Sequence, residues 1–181
     1  AFYRDGLEEF SEDELIEADI LAEFDAGVRQ DVPEYLTVAG EHEAAHVAAI
    51  SATVEDLGGT PVEEAEYDFG YSTPTEFLQT AAAVENTGVA AYTGAAPQIP
   101  SNQVLAAAAG IQSVEARHAA FLNVVTGADP YPNAVQEASS MEEVLEVAGQ
   151  FITEGGAAPD YGEVADPEFD RKADDGTSDV A

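Results

Sequence analysis

Three stretches of this chain place a glutamate in the middle of an otherwise apolar helical seam, and that pattern restricts the fold more than any other feature. The first seam reads Leu36, Ala39, Glu43, His46, Ile50, with Leu57 seven residues on. The second reads Leu78, Ala81, Glu85, Gly88, Tyr92. The third reads Val104, Ala108, Ile111, Glu115, His118, Leu122, Val125. Apolar residues spaced three and four apart form the buried stripe of a bundle helix. At the polar break the three seams carry Glu-x-x-His, Glu-x-x-Gly and Glu-x-x-His. A spacing of three puts both side chains on one helix face, a turn apart. The expected architecture is therefore all-α, an up-down bundle.

A lone carboxylate in an apolar core loses its charge or finds a partner. Here Glu43, His46, Glu85, Glu115 and His118 would converge at one depth, and cations between them would remove the penalty. Oxygen and imidazole donors in a chain with no cysteine suit iron, manganese or zinc. In this reading Glu43 and Glu115 bridge or chelate, His46 and His118 each cap one metal, and Glu85 completes the set. Gly88 provides either close helix packing or space beside the metals for water or a small oxidant. Tyr92, two turns past Glu85, is read as core.

A rival motif overlaps this one. His42-Glu43-Ala44-Ala45-His46 matches H-E-x-x-H, in which two histidines hold zinc and the glutamate acts as general base. That reading needs a third ligand, for which Glu63, Glu64 and Glu66 are the nearby candidates, and it leaves Glu115 and His118 unexplained. His42 falls beside the seam rather than on it. It is expected at the surface or supporting the site, oriented by a carboxylate such as Glu41.

Punctuation residues divide the chain into helices. Residues 1–10 have helical composition. Ser11 with Glu14 forms a capping box that opens a short helix to about Glu23. Asp31 and Pro33 mark the start of a long helix ended by Gly58-Gly59. A loop or crossover covers Thr60 to Tyr71. Thr73-Pro74-Thr75-Glu76 opens the next helix, which runs to about Gly94. Ser101 caps another that ends near Gly127, and Ser140 with Glu143 opens a last short one to about Thr153. No strand is expected. Residues 1–154 form the bundle, and the Gly-, Pro- and Asp-rich residues 155–181 read as a disordered acidic tail.

Charge limits the partners. The net charge is −32, from 37 acidic and 5 basic residues. A nucleic-acid backbone needs a basic footprint, so nucleic acid is excluded as a partner. No apolar run approaches the ~20 residues that span a bilayer, so membrane insertion is not expected. The acids are spread along the whole chain, as in a protein adapted to high salt, where screening relieves self-repulsion. Metal ions are the expected partners. A homo-oligomer is compatible with the sequence, which does not specify its surfaces.

The segments EHEAAHVAAI, AAVENTGVAAYTGA and SVEARHAAFLNVVTG resemble ferritin-like domains related to plant desiccation-related proteins and their haloarchaeal relatives. The opening AFYRDGLEEFSEDEL resembles the end of that family's first helix and the linker after it. The resemblance covers roughly residues 1–127. It implies a ferritin-like four-helix bundle with an iron or manganese pair, either for ferroxidase-like or peroxide chemistry or as a structural metal site in a stress-associated protein. It also implies export. In such domains the first helix supplies a further Glu before the aromatic pair matched by Phe2 and Tyr3, a position upstream of Ala1, so the first helix is expected to be truncated. Three carboxylates and two histidines then hold two ions, or one.

Overall fold

The computed structural model describes residues 1–154. Six helices make up most of it: α1 (Phe2–Glu9), α2 (Glu12–Ile16), α3 (Ala26–Asp56), α4 (Pro74–Ala95), α5 (Asn102–Val125) and α6 (Met141–Gly149). The expected boundary of an acidic tail at residue 155 lies outside the described residues.

The capping signals act as their chemistry requires. Ser11 and Glu14 exchange side-chain and backbone hydrogen bonds at the start of α2, and Ser140 and Glu143 do the same for α6. Thr73 and Ser101 accept from the backbone N–H of Glu76 and Val104, satisfying otherwise orphaned donors of α4 and α5.

Three expectations are corrected. The long helix α3 begins at Ala26 rather than near Asp31, so Pro33 lies inside it. Proline there removes one hydrogen bond near the helix start, and its ring is buried beside Val32 and Leu36. The short helix opened by Ser11 ends at Ile16, and a separate 3-10 turn, Asp19–Leu21, follows. Finally, two short strands form, β1 (Glu66–Tyr67) and β2 (Ile152–Glu154), paired antiparallel. They tie the crossover after α3 to the segment after α6, where Phe69 and Phe151 pack 5.5 Å apart. The all-α class is unaffected.

Side-chain pairs give the helix directions. Tyr35 meets Phe121, His42 meets His118 and His46 meets Glu115, so α3 and α5 are antiparallel. Asn86 meets Asn123 and Thr93 meets Gln112, so α4 and α5 are antiparallel as well. Hence α3 and α4 run parallel, and the bundle does not alternate strictly up and down. Parallel neighbours need a long connection, which residues 57–73 supply.

The core lies at one end. Phe2 stacks on Phe77 with ring centroids 5.0 Å apart. Leu15, Leu21, Leu36, Leu78, Leu122 and Val125 close the same cluster. The short helix α1 touches Phe77 so closely that a Cβ at Gly6 would overlap its ring. Beyond Glu43 the first seam is not in a core: Ile50 is 43% exposed and Leu57 72% exposed. Periodicity creates an apolar stripe, but burial requires a neighbour, and α1 covers only the first half of α3.

Candidate metal centre

The site sits at the boundary between the packed and the open halves of the bundle. Each main helix brings its polar break there: α3 brings Glu43 and His46, α4 brings Glu85, and α5 brings Glu115 and His118. One ligand atom from each of Glu43, Glu85, Glu115 and His118 lies within 4.8 Å of the others, a group able to hold a metal ion. Glu85 and Glu115 are 3% and 5% exposed. His46 is outside this group of four but adjoins it. Its Nδ1 is 3.0 Å from Glu115 Oε1 and 3.1 Å from Glu43 Oε1. The structure thus brings together all five residues singled out in the sequence.

Electrostatics explains how the cluster survives without a cation. Burial raises the Glu115 carboxyl, its hydrogen bond with Glu85 and the charge of Glu43 raise it further, and it reaches about 9. Burial pushes His118 down, but the facing Glu43 and Glu85 outweigh it and lift the imidazole to about 9. Burial also pushes Glu85 up, yet hydrogen bonds with His118, Glu115 and Tyr3 overcome it and hold the group below the usual carboxylate range. Two protons therefore occupy the place of positive charge.

They do not satisfy every atom. Among the described residues Glu85 Oε2 and His118 Nδ1 are buried and make no hydrogen bond of ordinary length; they face each other as a long ion pair, 3.5 Å apart. Buried polar atoms left in this way call for an explanation. A carboxylate oxygen and an imidazole nitrogen facing one space are the donors that iron, manganese or zinc accept, so the residues fit a metal.

One residue at the site, Tyr3, escaped sequence reasoning, and so did the partner of another, His42. The Tyr3 hydroxyl donates to Glu85 Oε1 at 2.5 Å. Burial first, and then the Glu85 charge, raise the phenol far above its ordinary value, so it stays a donor. Its position in the aromatic opening carries no metal-site signal. His42 is exposed and supports the site, as the sequence suggests, but through His118 rather than Glu41: its ring stacks on that of His118, 5.2 Å apart and 9° from parallel. Its Nδ1 lies 3.0 Å from His118 Nε2. That contact leaves His118 Nδ1 for the carboxylates and supports the ring from outside. The H-E-x-x-H alternative fares poorly, since Glu43 and His46 face Glu115 and His118 while His42 lies across His118.

Gly88 and Tyr92 stand beside the cluster, and Tyr92, expected in the core, lies outside it. A Cβ at Gly88 would stand 3.4 Å from Glu115 Oε2, so glycine leaves room beside that carboxylate. Tyr92 is half-buried, and burial followed by the Glu115 and Glu43 charges raises its phenol to about 12.

A helical bundle that gathers carboxylates and imidazoles from facing helices at one level belongs to the class of carboxylate–histidine metal-binding bundles. The sequence comparison agrees: residues 1–128 match the family model of the ferritin-like domain. The chain belongs to the ferritin-like domain family. No curated protein matches it. No helix among the described residues is long and apolar enough to cross a membrane.

Proposed function

We propose that this chain is a di-metal carboxylate protein whose centre is built by Glu43, His46, Glu85, Glu115 and His118. The observation that carries the reading is the donor group of Glu43, Glu85, Glu115 and His118, whose ligand atoms converge within 4.8 Å and whose buried Glu85 Oε2 and His118 Nδ1 make only a long contact with each other. Iron or manganese bound there would supply electron-transfer chemistry toward dioxygen or peroxide, the ferroxidase-like or peroxide-removing role of our reading. The chain's residues do the rest. Glu43, Glu85 and Glu115 provide negative charge, and His46 and His118 provide nitrogen. Tyr3 holds one Glu85 oxygen and so points the other inward. His42 steadies the His118 ring. Gly88 keeps space at Glu115.

A second reading gives the metal a structural role only. The donors come from α3, α4 and α5, and Tyr3 adds α1 through Glu85, so a cation there would staple four helices. The resemblance to desiccation-related and haloarchaeal proteins and the net charge of −32 support a stress-associated protein of a high-salt environment under either reading.

Peroxide consumption by iron- or manganese-loaded protein separates the two. Turnover that vanishes in Glu115→Gln supports the redox reading. A raised melting temperature on loading, with no turnover, supports the staple.

A further inference from the structure

A cavity of about 230 Å³ opens between α3 and α5 beside the metal centre. It is lined by Tyr35 and Val38 of α3, Phe121, Arg117 and His118 of α5, and Tyr3 of α1, with Tyr35 and Phe121 in contact along one side and His42 also lining it. The walls are rigidly set: Tyr35 and Phe121 pack edge to face 5.1 Å apart, and His42 stacks on His118.

Its charge is unlike the rest of the molecule. Acids outnumber bases 37 to 5 in this chain, yet no acid lines the cavity. Arg117, an exposed residue, does line it. Arg4 is engaged by Asp5 and Glu64, whereas Arg117 forms no ion pair with any described carboxylate. Apolar walls with one charged group that fixes orientation are the pattern of a small-molecule site.

Size restricts the ligand. An apolar cavity of roughly 150 Å³ admits benzene, so about 230 Å³ admits one substituted ring. We propose that this cavity binds a monocyclic aromatic carboxylate, its ring against Tyr35, Val38 and Phe121 and its carboxylate on Arg117. The ring then reaches toward Tyr3 and His118, so the site would deliver an organic substrate or reductant to the centre. That delivery role rests on the proposed metal centre, whereas the binding does not.

Benzoate titrated into the full chain, metal-free and metal-loaded, tests the proposal by ligand-observed NMR at high salt, with benzylammonium as the charge-reversed probe. Saturable benzoate binding is expected, with benzylammonium much weaker. Arg117→Gln should weaken benzoate by roughly tenfold, as loss of a charge-assisted contact does. Val38→Trp should abolish binding by filling the cavity. Absence of saturation, equal binding of both probes, or unchanged affinity in Arg117→Gln overturns it. If Val38→Trp does not fold, the Arg117 variant and the probe pair still decide. Metal uptake without benzoate binding defeats this proposal alone, and benzoate binding without metal uptake defeats the metal reading alone.

Discussion

The Tyr3 hydroxyl donates to Glu85 Oε1 across 82 positions of sequence, joining the first helix to the carboxylate at the centre of the site. The bond satisfies one buried oxygen of Glu85, while the other, Oε2, makes only a long ion pair with His118 Nδ1. Removing the hydroxyl leaves the buried Glu85 Oε1 without this donor. Tyr3→Phe should therefore destabilise the metal-free protein by about 1–3 kcal/mol in urea unfolding. It should also weaken metal binding by roughly 10–100-fold, as loss of a group that orients a ligand does. A variant as stable as the parent and with equal metal affinity would show that the bond is incidental.

Protons stand where cations would bind, so metal uptake must expel them. Glu115 and His118 are both raised to about 9, and loading at pH 7 should release about two protons per chain. Calorimetry in buffers of different ionisation enthalpy counts them. Affinity should rise from pH 6 to pH 9, and zero protons released at pH 7 would contradict the electrostatics.

The same shifts give the metal-free protein a pH profile. The stabilising contribution of charged His118 is fully present below its unfolded value of 6.5 and is lost as pH rises through about 9. Glu115, also raised, becomes costlier to keep folded as pH climbs from 4.5 to about 9. Glu85 is depressed, so its contribution is lost as pH falls below 4.5. Thermal melts should show stability falling between pH 6.5 and 9 without metal, and a flatter profile with it. A rise over that interval without metal would be inconsistent with this cluster.

Two glycines should respond with opposite sign. Alanine normally stabilises a helix interior by about 1 kcal/mol over glycine. At Gly110 in α5 a Cβ meets nothing within 4 Å, so Gly110→Ala should stabilise. At Gly6 a Cβ would overlap the Phe77 ring, which is fully buried and stacked on Phe2. Gly6→Ala should cost about 1–3 kcal/mol, the usual penalty of overpacking. Equal effects at both positions would show that α1 does not pack as described.

The clustering of the candidate ligands was legible because each breaks an apolar seam on its own helix, a pattern contained within a dozen residues. Capping was equally local, and Ser11–Glu14 and Ser140–Glu143 close the boxes expected of them. What escaped was set by tertiary contact. Tyr3 gains its role, and His42 its partner His118, from contacts 82 and 76 positions away. The strand pairing joins Tyr67 to Ile152 through segments too short for any local periodicity. Pro33 carries the signature of a helix start, yet the helix runs upstream to Ala26 and carries the proline inside it, at the cost of one interior hydrogen bond. Ile50 and Leu57 obey the seam period and still face outward, because periodicity does not say whether a neighbouring helix covers the stripe.

The central claim is that Glu43, Glu85, Glu115, His118 and the adjoining His46 hold metal. Its most direct test is elemental analysis of the full chain after equilibration with iron or manganese at high salt, beside Glu115→Gln, His118→Ala and His42→Ala. The account predicts one or two ions per chain, lost in Glu115→Gln and His118→Ala and retained with weakened affinity in His42→Ala. Absence of metal in the parent chain, or full retention in Glu115→Gln with loss in His42→Ala, would contradict it.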